Sequence, residues 1–283
     1  MDEFFDSDLL KAALSWDALI GSSQAPRSPN NSILTLLYRM SGKHQGHYYI
    51  PNGGIDSLID ALVSSAEEAG VEFMSETLVK EIIIKSSQNG LKAIGVKTHN
   101  SEEIKADRII SGVDPKQTFI NLVGAHNTEI EFSNRINRLR SNGYVAKFNL
   151  ALSSLPSFMG LDSLRGRMLI APTMDSIEFA WDDTKYGDYS QNPVLDMIVP
   201  TLFNPSMAPE GKHILSANIM YIPYQKKGGW SEEDKNELTE KIIDTISQYS
   251  TNIRDNILHS ELLTPLDLET EFNLTGGHWH HGE

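Results

Sequence analysis

The strongest constraint on the fold of this chain is a hairpin signal in its first half. Residues 77–86 (TLVKEIIIKS) and 91–98 (LKAIGVKT) have the composition of strands, and the second alternates apolar and polar side chains. The turn at 87–90 (SQNG) joins them, and Asn-Gly is the strongest short hairpin signal because both residues tolerate a positive φ angle. The pattern predicts two antiparallel strands, followed by a third strand at 104–111.

Helices and further strands are predicted along the rest of the chain. Apolar residues at helical spacing predict helices at 7–20, 32–40, 55–69, 116–123, 131–141, 173–183 and 231–249. Strands are predicted at 48–50, 71–74, 145–152, 167–171, 194–200, 213–223 and 257–263. Asp6 or Ser7 can cap the first helix, Asp114 the helix at 116–123 and Ser231 the last. These elements predict an α+β protein with a mixed or antiparallel sheet and covering helices.

Charge and composition exclude several classes of protein. The chain has 283 residues, which fits one large domain or two of ordinary size. Its net charge of −14 argues against nucleic acid and anionic membranes as partners, because phosphate groups require clustered Lys and Arg. The absence of cysteine excludes disulfides, thiolate metal sites and a cysteine nucleophile. No apolar stretch is long enough for a transmembrane segment, so we expect a soluble protein of the cytoplasm or, in a eukaryote, of the mitochondrial matrix.

The first candidate binding site is the turn at 51–54 (PNGG), which precedes the helix at 55–69. Gly53 and Gly54 would let the backbone approach a ligand, and the helix start offers free N–H groups. The alternative is a plain tight turn. Neither G-x-G-x-x-G nor G-x-x-x-x-G-K-[ST] occurs in the sequence, so the chain has no phosphate-binding loop of either kind. It is therefore not a self-sufficient dinucleotide-binding domain.

Several histidines and acids are candidates for catalysis or metal binding. The histidines are His278, His280 and His281 in the tail, and His44 and His47 in a glycine-rich loop. The tail offers no acidic residue at a suitable spacing, so we predict no metal site there. A general-base role for the loop histidines competes with a plain polar loop. Asp182 and Asp183 are adjacent and would not face each other on a helix, which favours a solvated surface.

The order of motifs in residues 47–124 resembles that of a known enzyme family. The segments are HYYIPNGGIDSLIDAL, VEF, ETLVKEI, NGLKAIGV and ADRIISGVDP. They resemble the phytoene desaturase-like FAD-dependent oxidoreductases of the amine-oxidase-type flavoprotein superfamily, and most of all its pyridine nucleotide-disulfide oxidoreductase domain-containing branch. The resemblance continues at 4–14, 204–216, 263–269 and 274–283, and so covers most of the chain.

This resemblance implies which residues lie near FAD. In the family, the P-x-G-G turn and its helix belong to the FAD-binding part, close to the flavin. The strand that matches ETLVKEI supplies a valine whose backbone pairs with the adenine of FAD, and the stretch ADRIISGVDP lies near the cofactor. The residues assigned in this way are Pro51, Gly53, Gly54, Val79, Ser111, Gly112 and Asp114.

The resemblance also implies a domain organisation. Residues 1–46 would form a helical part of the substrate domain, 47–124 a helix-and-hairpin part of the FAD-binding domain, 125–273 the substrate-binding domain, and 274–283 a return to the FAD domain. Family members begin with a βαβ unit that carries G-x-G-x-x-G and end with a glycine-rich stretch near the flavin ring. Neither is found in this sequence, so we expect the central piece of a longer two-domain flavoprotein. FAD is thereby assigned to the complete enzyme, and its binding by this chain alone stays open.

The reaction implied is transfer of a hydride from a C–H bond of an apolar or isoprenoid-like substrate to FAD, and we expect the isolated chain to be inactive. The apolar stretches 32–40 and 213–223 could line a substrate cavity, although ordinary core is the favoured interpretation. Two alternatives stay open. One is a non-catalytic binding module, such as a homodimer, that kept the fold and lost the cofactor. The other is a metal-dependent hydrolase that uses the histidine tail.

Overall fold

The fold was obtained as a computed structural model, which describes residues 3–28, 36–37, 40–41, 49–88 and 90–282. Several sequence predictions fall outside these residues. They are most of the helix at 32–40, the loop histidines His44 and His47, and the turn residue Asn89. Tyr48 of the strand predicted at 48–50 also lies outside them, whereas the other predicted elements and all seven residues assigned to FAD by resemblance lie in the described part.

The predicted hairpin is present, as the centre of a three-stranded antiparallel sheet. Strand β1 (Val79–Ser87) pairs with β2 (Gly90–Thr98), and β2 pairs with the short β3 (Glu103–Lys105). Helix α2 (Gly54–Glu68) precedes the sheet, and a π-helical turn (Gln117–Leu122) follows it and packs on β1. This part of the chain is thus one helix and one small sheet, as expected.

A second sheet of five antiparallel strands forms the larger part of the molecule. Its strand order is β5-β6-β7-β4-β8, so the two longest strands, β4 and β7, lie at its centre. Residues of β4 alternate between buried and half-buried, because successive side chains of a strand point to opposite faces. The five strands are β4 (Val145–Leu152), β5 (Met168–Ile170), β6 (Leu195–Ile198), β7 (His213–Met220) and β8 (Ile257–Leu263).

Helix α5 (Glu232–Ser247) covers the buried face of this sheet. Its Leu238, Ile242 and Ile246 pack with Phe148, Leu150 and Leu215 in the main core. The stretch 213–223, proposed as a possible cavity wall, therefore contributes mainly to this core, which was the favoured interpretation. Four further α-helices are described, together with a single α-helical turn α6 (Ile253–Asn256) and several short 3-10 turns. The four are α1 (Asp8–Leu19), α3 (Ile130–Asn137), α4 (Met174–Lys185) and α7 (Pro265–Phe272).

A second apolar cluster joins α1 and α4 to one end of the sheet. Trp16 and Leu19 of α1 are fully buried, and they pack with Trp181 of α4 and Tyr221 after β7. The Trp181 ring meets Tyr144 edge to face at a centroid distance of 5.1 Å. Helix α1 therefore packs onto the unit built on the five-stranded sheet.

Helix starts follow the predicted caps. The Ser7 side chain accepts a hydrogen bond from Leu10 N–H, and Ser231 forms a reciprocal capping box with Asp234. Asp114 caps the turn that follows it by accepting hydrogen bonds from the N–H groups of Lys116 and Gln117. Each cap satisfies donors that a helix start leaves without an intrahelical partner.

Three strand predictions fail in whole or in part, and one helix differs. Residues 71–74 form no strand, and Val71, Phe73 and Met74 are exposed. The strand predicted at 104–111 ends at Lys105. Ile110, from the predicted apolar run, is 96% exposed and packs on no sheet. The helix predicted at 116–123 is largely π-helical. Residues 49–50 also have no strand conformation.

Candidate functional site

The stretch 111–114, assigned to FAD by resemblance, is anchored to the C-terminal tail through Asp114. The Asp114 side chain is buried, and its Oδ1 accepts hydrogen bonds from Lys116 N–H at 2.9 Å and Gln117 N–H at 3.1 Å. Its Oδ2 accepts a hydrogen bond from the Thr275 hydroxyl at 2.5 Å. One carboxylate thereby holds a helix start and a segment 161 residues away.

Ser111 and Gly112 lie on the exposed side of this anchor. The Ser111 and Thr118 hydroxyls are 2.7 Å apart and share a hydrogen bond, which fixes the stretch to the π-helical turn. A Cβ built on Gly112 would meet nothing within 4 Å, so the backbone here borders open space. The two residues can therefore be approached by a ligand, whereas Asp114 serves to hold the stretch in place.

The tail itself packs through glycine at very short backbone distances. Gly276 and Gly277 have φ angles of 65°, in the left-handed region, and a Cβ at Gly276 would lie 1.9 Å from the Ser141 carbonyl oxygen. The Gly143 N–H donates to the Gly276 carbonyl at 2.8 Å. The tail thus lies directly against the start of β4, next to the Asp114 anchor.

Val79 begins β1, an outer strand of the small sheet. It lies opposite Thr98, and the neighbouring Leu78 carbonyl accepts a hydrogen bond from His99 N–H at 2.9 Å. Successive strand residues direct their backbone groups to opposite edges. The N–H and C=O of Val79 therefore point away from β2, toward the outer edge of the sheet. This is the orientation that backbone pairing with a planar base requires.

The glycine turn begins α2 as predicted. Gly54 N–H donates to the Pro51 carbonyl at 3.0 Å, and Gly53, with φ 87°, is the residue that precedes the helix. A Cβ at Gly54 would lie 3.3 Å from the Asn204 amide nitrogen, so the turn rests on the segment between β6 and β7. Among the described residues, no hydrogen bond joins this turn to Val79 or Asp114.

The structure brings the assigned residues together only in part. Ser111, Gly112 and Asp114 form one group with the tail, and Val79 belongs to the strand that packs on the turn after Asp114. The glycine turn lies against Asn204 instead. Thr275 completes the Asp114 anchor and was missed, because nothing local in the sequence indicates a contact over 161 residues.

The tail histidines have backbone partners. His278 is 2% exposed, and its Nδ1 accepts hydrogen bonds from His280 N–H at 3.1 Å and Gly282 N–H at 3.2 Å. The His280 ring lies against Gly21. Within the described ranges, no group of three or more His, Cys, Asp or Glu side chains is arranged to hold a metal ion. Asp182 makes an ion pair with Lys185 on the α4 surface, as a solvated helix face predicts.

The half-buried face of the five-stranded sheet carries a polar row that sequence analysis missed. Lys147 Nζ donates to Asn218 Oδ1 at 3.0 Å, and Asn218 Nδ2 donates to Asp196 Oδ1 at 2.9 Å. These three residues are directly opposite one another on β4, β7 and β6. A parallel row joins Ser216, Asn149 and Glu261. The signal was present as polar residues at alternate positions of apolar strands.

Burial perturbs the charged groups in the first row. Desolvation lowers the pKa of Lys147, against the opposing effect of Asp196. Desolvation also raises the pKa of Asp196, although Arg167, Asn218, Trp16 and Lys147 oppose the shift. The Arg167 Nε lies 3.6 Å from Asp196 Oδ2, and its guanidinium also pairs with Asp17 of α1. Perturbed, partly buried charges of this kind occur often at functional sites.

An apolar cavity of about 490 Å³ lies beside this row, between α1 and strands β5 and β6. Arg165 and Arg167 are its charged members, so it joins an apolar space to the ion pair with Asp196. A volume of this size fits a small molecule. The apolar lining is contributed mainly by Leu9, Phe158, Leu161, Leu164, Met168 and Met197.

The architecture is similar to that of solved structures. The structure of a Pyrococcus furiosus protein superposes on 90% of this chain, which corresponds to 54% of that protein's chain. The TM-score is 0.60, with 18% identical residues. An oxidoreductase from Methanosarcina mazei matches 91% of this chain and 53% of its own, with a TM-score of 0.58 and 18% identity. This chain therefore has an α+β fold that is also found in an oxidoreductase.

The sequence assigns the family. Residues 1–271 match the family described as flavin containing amine oxidoreductase, and the chain belongs to that family. The resemblance identified from motifs is thereby confirmed. No helix of the described residues is both long and apolar enough to cross a membrane.

Named relatives agree with this assignment. Pyridine nucleotide-disulfide oxidoreductase domain-containing protein 2 of Mus musculus is 31% identical over all of this chain and 50% of its own length. Phytoene desaturase of Neurospora crassa is 25% identical over 85% of this chain and 40% of its own. A 4,4'-diaponeurosporene oxygenase of Staphylococcus aureus is 24% identical over 87% of this chain and 47% of its own length. The chain spans about half the length of the curated relatives it matches.

Proposed function

We propose that this chain forms the substrate-binding part, and some of the FAD-binding part, of a flavin-dependent oxidoreductase of desaturase or dehydrogenase type. Its substrate would be an apolar or isoprenoid-like molecule that loses a hydride from a C–H bond. The observation that carries the proposal is a pair of backbone positions at sites that the family resemblance assigns to FAD: Val79 on the outer strand β1, and Gly112 beside open space. The domain boundaries at 46, 124 and 273 are part of this proposal.

The residues present fit a flavin nucleotide at these positions. The backbone of Val79 is directed to the outer edge of β1, where a base can pair with it. Open space at Gly112 lets a flat ligand approach the backbone. The start of α2, after Pro51 and Gly53, offers N–H groups that suit an anionic group.

We assign substrate binding to the apolar cavity and the polar row beside it. FAD, when bound, supplies the hydride acceptor. The cavity side chains, such as Phe158 and Met197, would hold an apolar substrate and exclude water. Arg167 also lines the cavity and pairs with Asp196 of the polar row, so its guanidinium can donate a hydrogen bond to a polar part of the substrate. Lys147 lies at the far end of the same row, on the opposite sheet face from Phe158 and Met197.

Because the relatives are about twice as long, the activity of the complete protein is itself a proposal. The family resemblance places many FAD contacts in segments without a counterpart in this sequence. We propose that this chain alone binds FAD weakly and does not turn over substrate. Its residues would bind and orient, while the remaining FAD contacts come from the rest of the enzyme.

A matched pair of glycine variants tests the FAD position. Gly112→Val places a side chain in open space without a positive φ angle, so the fold should persist while FAD is obstructed. Gly166→Val does the same at the wall of the apolar cavity, outside the residues assigned to FAD, and serves as the control for FAD affinity alone. FAD affinity is measured by fluorescence titration, with circular dichroism to check folding. Equal FAD affinity in both variants would reject the assigned position.

A non-catalytic binding module is the second candidate, and one observation favours it. Helix α2 buries none of its residues, and Ile55, Leu58, Ile59 and Leu62 form an exposed apolar stripe. Such a stripe suits association with another protein surface. This candidate predicts a colourless oligomer that gains no flavin, whereas the oxidoreductase proposal predicts FAD binding. Analytical ultracentrifugation with and without FAD separates the two.

A further inference from the structure

A second cavity, of about 430 Å³, lies between the loop that precedes β4 and helix α4. We call it the basic cavity. It is separate from the apolar cavity and includes none of the seven residues assigned to FAD. The residues that matter here are Lys116, Arg138, Arg140, Ser141, Asn142 and Trp181.

The charge of the basic cavity is opposite to that of the chain. Three cationic side chains line it and no acidic residue does, although the chain carries a net charge of −14. Within the described part of the chain, Lys116, Arg138 and Arg140 make no ion pair. Arg254, by contrast, binds both Glu240 and Asp244. Arg138 and Arg140 are exposed and Lys116 is half-buried, so the cavity carries positive charge that no acidic side chain offsets and that would favour a bound anion.

The backbone that carries these cations is held in place. The loop with Arg138 and Arg140 is pinned by the Gly143 N–H, which donates to the Gly276 carbonyl at 2.8 Å. Lys116 follows Asp114, whose carboxylate binds both the Lys116 N–H and the Thr275 hydroxyl. The loop with Arg138 and Arg140 and the backbone at Lys116 are therefore tied to the same tail segment. The backbone of the site is thus largely in place before any ligand binds.

Hydrogen-bonding and aromatic groups complete the cavity wall. Asn142 offers a side-chain amide that can donate to an oxyanion, whereas the Ser141 hydroxyl donates to the Leu139 carbonyl at 3.4 Å. Trp181 forms an aromatic wall that is packed against Tyr144. Guanidinium groups match the oxygens of a phosphate in two-pronged geometry, which a lone lysine does not provide. The volume also allows a phosphate that is attached to a larger group.

We infer that the basic cavity binds an anion of the phosphate class, either free or as the phosphoryl end of a small molecule. The inference does not rest on the proposed oxidoreductase function, because the cavity shares no residue with the assigned FAD positions. Long-range repulsion by the acidic chain is screened at physiological salt, so the local cations decide binding.

Calorimetric titration of the full chain with inorganic pyrophosphate tests the inference. We expect binding with a dissociation constant below about 1 mM at low salt. The double variant Arg138→Gln with Arg140→Gln should weaken it at least about tenfold, since two charge-assisted contacts are lost. Arg135→Gln is the matched control, because Arg135 is on the adjoining helix α3 but lies over the Phe132 ring instead of lining the cavity. It should change the affinity less than about twofold.

Two further ligands separate the possible sources of the phosphate. If ADP binds more tightly than pyrophosphate and loses affinity in the double variant, the natural ligand is a nucleotide. If pyrophosphate binds and ADP does not, it is a free anion. Riboflavin, which lacks phosphate, is titrated as the control. Either result supports the inference when riboflavin gives no binding heat that the double variant removes. The absence of binding by both anions, or an equal loss in Arg135→Gln, would overturn it.

Discussion

The Asp114 anchor gives the sharpest test of how the tail is held. In Asp114→Ala, the helix start loses its cap, which costs about 1 kcal/mol. The Thr275 hydroxyl also loses a charged acceptor in a buried site, which costs about 2 kcal/mol. Asp114 is 5% exposed, so solvent screens little of this loss. We expect the free energy of unfolding to fall by about 3 kcal/mol in urea denaturation followed by circular dichroism.

Conservative variants divide this loss between its two parts. Asp114→Asn can still cap the turn, and we expect it to cost about 1 kcal/mol through the weaker bond to Thr275. Thr275→Val removes the hydroxyl, and the double-mutant cycle with Asp114→Ala should give a coupling free energy of about 1–2 kcal/mol. A coupling near zero, or a cost below about 0.5 kcal/mol for Asp114→Ala, would show that the carboxylate does not hold the tail.

Two further predictions follow from the described contacts. Gly276→Ala should destabilise the fold by about 3 kcal/mol or more, because its Cβ would lie 1.9 Å from the Ser141 carbonyl oxygen at a φ of 65°. Gly112→Ala, in open space, should stay within about 0.5 kcal/mol of wild type, and equal effects of the two would contradict the tail packing. Burial lowers the pKa of Lys147 from 10.5, so its ammonium form costs stability that is recovered as the pH rises toward 10.5. Relative to Lys147→Met, the wild-type free energy of unfolding should therefore increase with alkaline pH, and a difference that does not change with pH would refute the shift.

Local patterns predicted much of this fold. The strand at 145–152 coincides with β4, and the signals at Asn89-Gly90 and Ser231 correctly indicated a hairpin and a helix start. These succeed because turn chemistry and capping depend on neighbouring residues. The strand at 71–74 failed for the converse reason. A short apolar run becomes a strand only where a partner strand is available, and here the run is exposed.

The candidate sites depended more on tertiary contacts. Resemblance indicated the stretch 111–114, but the contact of Asp114 with Thr275 spans 161 residues and has no local signal. The row of Lys147, Asn218 and Asp196 forms only when β4, β7 and β6 pair in register. The basic cavity likewise requires Lys116 to meet a loop over 20 residues later in the chain. Sequence periodicity identifies polar positions on each strand, and the sheet order decides which of them meet.

The most direct test of the oxidoreductase proposal is the visible absorption of the purified chain in gel filtration on a column equilibrated with FAD, so that weakly bound flavin is not lost. We expect flavin absorbance to elute with the protein, and we expect Gly112→Val to lose it while Gly166→Val keeps it. A protein peak without flavin absorbance above that of the column buffer, at high protein concentration, would contradict a direct FAD-binding role for this chain.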